Sequence, residues 1–204
     1  MPVDGERRLL VVGASGGIGS AVMAEASSAG WKCVGADRHA EFALDLSDRA
    51  GLEPRLKRLF EECGPFDAVV FAAGVCPIVP LASVSADSLA ETMLVNCESF
   101  VMLVKAYAAC GAGENGGKIV AVSSVSAKEG WAGGSLYCAS KGALSAAARA
   151  LDAELAQKGI RVMAIEPGHV LTDMFRRGAG RMGVPESQAA SPESVARDIL
   201  ARLR

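Results

Sequence analysis

The stretch Leu9-Leu10-Val11-Val12-Gly13-Ala14-Ser15-Gly16-Gly17-Ile18-Gly19 carries the fold of this chain in miniature. Its four apolar residues read as a short buried strand, and the glycines after them open a helix running from about Gly17 to Ala29. So tight a turn from strand to helix needs glycine for steric reasons alone. The same glycines let a backbone approach a pyrophosphate closely, and the helix N-terminus offers it unpaired N–H groups and positive dipole. The strand–loop–helix setting favours this second purpose. A P-loop is disfavoured, since no Gly-Lys-Ser/Thr follows to hold phosphate and magnesium.

Working outward, the alternation repeats. Lys32–Gly35, Phe42–Leu44, Asp67–Ala72, Ile119–Ser123 and Arg161–Ile165 read as strands. Arg49–Cys63, Ser88–Ala109, Ser135–Gln157 and Pro192–Leu203 read as helices, and the glycine-rich Gly111–Gly117 as a helix-to-strand turn. Strands alternating with helices predict βαβ units: an α/β, doubly wound parallel sheet, Rossmann-like, in a three-layer α/β/α arrangement. No repeat or long linker divides the chain, so one dinucleotide-binding and catalytic domain is expected over residues 1–204.

Composition removes several function classes. The 204 residues are 50% hydrophobic and 22% charged, with a formal charge of -2. No basic stripe suggests nucleic acid. The six cysteines (Cys33, Cys63, Cys76, Cys97, Cys110 and Cys138) form no Cys-x-x-Cys pair, and His39 and His169 are the only histidines. Reduced, mostly buried thiols are expected, and no metal site. The first apolar run is too short for a signal-peptide core or a span, and no later stretch reads as a membrane crossing. A cytoplasmic protein is expected.

Two constellations carry chemistry. Asp37 ends the second strand, 18 residues past Gly19, where a carboxylate can accept from both adenosine ribose hydroxyls and would repel a 2′-phosphate. The competing assignment is a plain turn aspartate. Arg38 could pair with a 2′-phosphate, but no basic residue lies in the glycine loop, so NAD is favoured over NADP. In the second constellation, Tyr137 and Lys141 are four apart on one helix and share a face. A neighbouring ammonium stabilises phenolate and lowers a phenol's pKa from near 10. Ser124 follows the Ile119–Ser123 strand and can donate to a substrate oxygen. Such a Tyr/Lys pair is common on exposed helices, so its weight comes from the ensemble.

That ensemble resembles the short-chain dehydrogenase/reductase family in its compact branch. The resemblance is carried by Gly13-x-x-x-Gly17-Ile18-Gly19, Asp45-Leu46, Ala72-Ala73-Gly74, Val95-Asn96, Ser123-Ser124, Tyr137-Cys138-Ala139-Ser140-Lys141 and Pro167-Gly168-x-Val170-x-Thr172. They run in the family's order, with Ser124 and Tyr137 thirteen apart. The resemblance implies Tyr137 as general acid or base, with Lys141 lowering its pKa and binding the nicotinamide ribose. It implies that Ser124 positions the substrate oxygen and that Asn96, at a helix kink, holds a relay water. Ser15, Gly16 and the other glycine-loop residues would cradle phosphates, Asp45 and Leu46 would flank the adenine, and Ala72, Ala73 and Gly74 would line the adenosine half. Pro167 and Gly168 would turn the chain toward the nicotinamide, with Val170 and Thr172 bonding its carboxamide.

Departures from the family shape further expectations. Val12 stands where a threonine is frequent, and Phe71-Ala72-Ala73-Gly74 where Asn-Asn-Ala-Gly is usual. The family's seventh strand and tail are expected to be missing, which points to a homodimer through the two long helices. Their small faces (Ala106, Ala108, Ala109; Ala143, Ala146, Ala147, Ala150) would permit close approach. The segment from Thr172 to Ser191 is expected to be an abbreviated substrate lid or a solvated mobile loop. There Met174, Phe175 and Met182 offer apolar contacts, and Arg176, Arg177 and Arg181 could attract an anionic substrate. Trp131 is either a pocket wall or an ordinary packed tryptophan, and His169 has no assigned role. The expected substrate is a small carbonyl or alcohol. The rival is a non-catalytic dinucleotide-sensing regulator of the same fold, and such proteins generally lose the tyrosine or lysine. An epimerase or dehydratase of nucleotide sugars would need a C-terminal substrate domain that about thirty residues after Thr172 cannot build.

Overall fold

A computed structural model describes residues 7–113 and 116–203, with the side chains of residues 179–182 outside the description. The apolar runs become parallel strands: β1 (Arg8–Val12), β2 (Lys32–Asp37), β3 (Phe42–Ala43), β4 (Ala68–Phe71), β5 (Gly117–Val122) and β6 (Ile160–Ile165). They form a six-stranded sheet in the order β3-β2-β1-β4-β5-β6 among the described residues. The order reverses at β1, which pairs with β2 on one side and β4 on the other. In open sheets of this kind the crevice at that reversal, beyond the strands' carboxyl ends, receives ligands.

Both sheet faces are covered, which is why the strands read as unbroken apolar runs. Leu9 and Val11 of β1 point to the face packed by α1 (Gly17–Ser28) and α7 (Pro192–Leu203), alongside Ala68, Val70 and Val120. Leu10 and Val12 point the other way, with Val69, Phe71 and Ile119, against α2 (Arg49–Cys63) and α5 (Ser135–Leu155). The register Leu9↔Ala68 to Val12↔Phe71 keeps the two sets in step. α2 starts where Asp48 accepts from the Gly51 N–H at 3.0 Å.

The first long helix departs from expectation. Ala86–Gly111 consists of α3 (Ala86–Met93), a π-turn at Leu94–Glu98, α4 (Ser99–Ala106) and a second π-turn at Tyr107–Gly111. The Ser99 N–H reaches back to the Leu94 carbonyl, the five-residue step that defines such a turn. By length and apolar composition this stretch could span a membrane, contrary to the sequence expectation. Half of its most apolar 18-residue window is buried, however, with Phe100, Leu103, Val104 and Tyr107 in the core.

The expected lid is more ordered than a solvated loop. Residues 173–182 form α6 (Asp173–Met182), and Glu186–Gln188 form a 3-10 turn. Thr172 starts α6 by accepting from the Phe175 N–H at 3.3 Å. Arg176 pairs with Asp173 at 3.4 Å and with Glu186 at 3.3 Å. Phe175 is buried, with its ring 5.6 Å from that of His169. The side chains of Arg181 and Met182, named above as possible substrate contacts, lie outside the described residues.

Candidate active site

The glycine loop lies at the carboxyl end of β1, where Gly13 is held in a left-handed conformation (φ +85°). A Cβ there would stand 2.6 Å from the Ala73 backbone nitrogen, so only glycine lets β1 and the segment after β4 meet. A Cβ on Gly17 would lie 2.6 Å from the Thr172 methyl, so the loop and the start of α6 also touch. α1 begins after Gly16 with no side-chain cap and no acidic residue in its first turn. Its positive end is therefore left to an anion.

From this loop a cleft of about 930 Å³ runs along the strand ends. Gly13, Ser15, Gly16, Gly17 and Ile18 line one end, with Asp37, Arg38, Asp45 and Leu46. Ala72, Ala73 and Gly74 line the middle, Ser124, Tyr137, Lys141, Pro167, Gly168 and Val170 the other end, and Thr172 lines the cleft beside Gly17. Two of the expected residues stand behind the wall. Gly19 packs against the Gly13 carbonyl, and Asn96 is fully buried in the first π-turn.

Asn96 is a brace. Its Oδ1 accepts from the Val75 N–H at 2.8 Å, and its Nδ2 donates to the Val75 carbonyl at 2.8 Å and to Ser140 Oγ at 2.9 Å. One side chain thus ties the cleft wall after Gly74 to α5. Gly74 leaves the room, since a Cβ there would sit 3.2 Å from Asn96 Oδ1 and 3.3 Å from Lys141 Nζ.

Lys141 is buried, and its Nζ donates to the Val122 carbonyl at 2.9 Å. Burial pulls the ammonium down to about 8. Tyr137 is half-buried at the cleft, 5.7 Å from Lys141 Nζ measured to the ring centre. Burial pushes its phenol up to about 12, the Cys76 thiol adds to the rise, and a hydrogen bond with Ser124 opposes it. Ser124 also accepts from the Ser126 N–H at 3.1 Å. Trp131 donates to Ser126 Oγ at 3.1 Å and sets its ring 6.5 Å from that of Tyr137, so it does form part of the wall.

At the far end, Asp37 accepts from the Ser15 N–H at 2.6 Å, the Ser15 hydroxyl at 2.8 Å and the His39 N–H at 2.7 Å. Burial works against its charge, but these donors outweigh it and hold the carboxyl below its usual range. Asp45 is held low by Ser47, whose hydroxyl and N–H both bond Oδ1. Cys76, Glu91 and Glu129 also line the cleft and were not singled out from the sequence. Only Cys76 carried a signal, lying two residues beyond Gly74. Among the described residues no group of acidic, histidine or cysteine side chains could hold a metal.

A family model described as short chain dehydrogenase matches residues 7–180. The chain is 31% identical over 218 residues to 2,3-dihydro-2,3-dihydroxybenzoate dehydrogenase of Escherichia coli (strain K12), an alignment covering 95% of this chain and 88% of that one. It is 32% identical over 166 residues to glycine betaine reductase ATRR of Emericella nidulans, covering 78% of this chain and 13% of that far longer protein. Among solved structures, a short chain dehydrogenase from Burkholderia cenocepacia J2315 in complex with NADP matches with a TM-score of 0.82 at 21% identity. That match covers 97% of this chain and 84% of the other.

Proposed function

This chain belongs to the short-chain dehydrogenase/reductase family, and from that premise we propose that it transfers a hydride between a nicotinamide dinucleotide and a secondary alcohol or ketone. The observation that carries this reading is Ser124, Tyr137 and buried Lys141 together at one end of a cleft whose other end is the glycine loop. The cradle fits the group. Gly13 and Gly17 admit no side chain, and the uncapped start of α1 faces the loop. The whole chain acts as one cofactor-binding and catalytic domain.

A nicotinamide held here would supply the hydride chemistry, and the proton falls to this chain. Tyr137 exchanges it with the substrate oxygen, which Ser124 holds by a hydrogen bond. Lys141 favours the phenolate by its charge and holds the nicotinamide ribose. Asn96 keeps the wall and α5 together, and its π-turn is where a relay water would be held. Ser15, Gly16, Gly17, Ile18 and Gly19 serve the phosphates, with Asp45 and Leu46 at the adenine and Pro167 to Thr172 at the nicotinamide. NAD is preferred over NADP because Asp37 brings a negative charge to the ribose end. Arg38 lines the same end and favours the opposite choice.

A homodimer through the long helix Ala86–Gly111 and α5 belongs to the same proposal, supported by the exposure of Ala109, Ala146 and Ala150. A cytoplasmic setting is supported by six cysteines that are all free. The test is a panel of ketones and secondary alcohols with NADH, NADPH and their oxidised forms, followed at the reduced nicotinamide absorbance. Turnover by wild type and none by Tyr137→Phe is expected. Turnover surviving in Tyr137→Phe rejects the proton-transfer role. Tight dinucleotide binding without turnover on any substrate moves the protein to the sensor class.

A further inference from the structure

Behind the cleft, a line of side chains joins the turn after β6 to the helix that carries Lys141. Glu166 is the first residue of that turn, directly before Pro167-Gly168. Its Oε1 accepts from Ser145 Oγ at 3.0 Å, and its Oε2 meets Lys128 Nζ at 2.5 Å. Ser145 Oγ lies 2.7 Å from Ser123 Oγ, which in turn donates to the Lys141 carbonyl at 3.1 Å. Both serines are buried, at 3% exposure, while the Glu166 side chain is 20% exposed.

The direction of this line follows from its charged end. A hydroxyl has one hydrogen, and a carboxylate only accepts. The hydrogen bond with Lys128 holds Glu166 below the usual carboxylate range, with that of Ser145 and the charges of Lys128 and Arg149 acting the same way against its burial. Ser145 must therefore give its hydrogen to Glu166. It can then only accept from Ser123, whose single hydrogen is shared between Ser145 Oγ and the Lys141 carbonyl. Main-chain bonds run alongside, from the Ser123 N–H to the Ile165 carbonyl at 2.8 Å and from the Val125 N–H to the Pro167 carbonyl at 3.1 Å. An apolar pair in place of the two serines would fill the same space. Two buried hydroxyls ending on an ionised side chain instead favour one arrangement, because only that one gives the carboxylate Ser145's hydrogen as well as the Lys128 ion pair.

We propose that Glu166, acting through Ser145 and Ser123, is a positioning residue that holds the Pro167–Thr172 turn at a fixed distance from Lys141, and so sets the nicotinamide half of the site. The inference rests on the cofactor reading above. The adenosine half, at Asp37 and Asp45, lies across β1 from this line, and among the described residues no hydrogen bond joins the two.

The test separates the two halves of the ligand. Binding of NADH, NADPH and ADP-ribose, which lacks the nicotinamide, is measured by calorimetry on wild type, Glu166→Ala, Ser145→Ala and Glu166→Gln. Both alanine variants should bind the preferred reduced dinucleotide about ten-fold more weakly, the loss of one charge-assisted hydrogen bond, and ADP-ribose as wild type does. Glu166→Gln keeps an acceptor for Ser145 and should recover most of the affinity, which also covers the case where an alanine variant folds poorly. Equal weakening toward dinucleotide and ADP-ribose would mean general loosening and overturns the proposal, as would no weakening at all. A wild-type protein that binds none of the three rejects the function itself, and the brace with it.

Discussion

Lys141 Nζ stands 5.7 Å from the centre of the Tyr137 ring, yet its hydrogen bond goes to the Val122 carbonyl at 2.9 Å. The two side chains share a helix face, as their spacing requires, but each is governed first by its own burial. Burial pushes the phenol up to about 12 and pulls the ammonium down to about 8. In the free protein both are shifted toward their neutral forms. For Tyr137 to act as the proposed acid–base group, ligand binding has to bring the phenol's range down.

The first prediction uses the fact that the chain has only two tyrosines. Tyr107 is buried, donates to the Phe66 carbonyl at 2.8 Å and is also pushed up by burial. An ultraviolet titration of the free protein should show no phenolate rising near pH 10, where an unperturbed tyrosine ionises. Saturation with dinucleotide should bring one phenolate to lower pH, and Tyr137→Phe should remove that step. A phenolate at or below pH 10 in the free protein contradicts the burial account.

The second concerns stability. The folded pKa of Lys141 is depressed, so between about pH 8 and pH 10.4 the unfolded chain holds more protons and stability rises with pH. Below that window the full cost of burying a charge is present. Lys141→Met fills similar space without charge, though it leaves the Val122 carbonyl without this donor. At pH 7 the variant should gain roughly 1–3 kcal/mol in denaturant unfolding while losing turnover, and the gain should vanish above about pH 10. A variant less stable than wild type at pH 7 would show that the lysine holds the fold together.

The third concerns Asn96. Its three hydrogen bonds, to the backbone N–H and carbonyl of Val75 and to Ser140, come from a fully buried side chain, and the one to Ser140 is itself buried. Asn96→Ala leaves those groups unpaired and should cost roughly 2–4 kcal/mol of stability, read from chemical denaturation. Ser140→Ala removes one of the three and should cost less. Equal costs would mean that the tie to Val75 contributes nothing.

Much of this was legible in the chain because periodicity survives folding. α2 and α7 have the bounds that their apolar pattern gave, and the strands differ by a residue or two at their ends. What escaped has physical reasons. An i→i+5 turn leaves no mark on an apolar stripe, so the pattern gives one helix over Ser88–Ala109, and only the family resemblance puts a kink at Asn96, where the π-turn lies. Helical spacing brought Tyr137 and Lys141 to one face but could not show that a strand carbonyl 19 residues upstream holds the ammonium. Cys76, Glu91 and Glu129 enter the cleft from elements whose approach is set by tertiary packing, and a local pattern does not record that. Asp37 was read as a ribose ligand, and the structure adds that its carboxylate also anchors Ser15 of the glycine loop.

That double engagement gives the last prediction. If the Asp37 charge selects the cofactor, Asp37→Asn should shift preference toward NADPH by about ten-fold or more, since about 1.4 kcal/mol of relieved repulsion suffices. Arg38, left beside a neutral side chain, would add to the shift by pairing with the 2′-phosphate. Asparagine still offers one oxygen to Ser15 or His39, so binding of adenosine-only ligands should change little. Asp37→Ala removes the anchor as well and should weaken NADH, NADPH and ADP-ribose together, on top of the same shift in preference. Dissociation constants for the three ligands on the three proteins separate the two roles. An unchanged ratio of NADH to NADPH affinity in Asp37→Asn would leave the carboxylate as a loop anchor alone, and cofactor choice would then rest with Arg38 and the shape of the cleft.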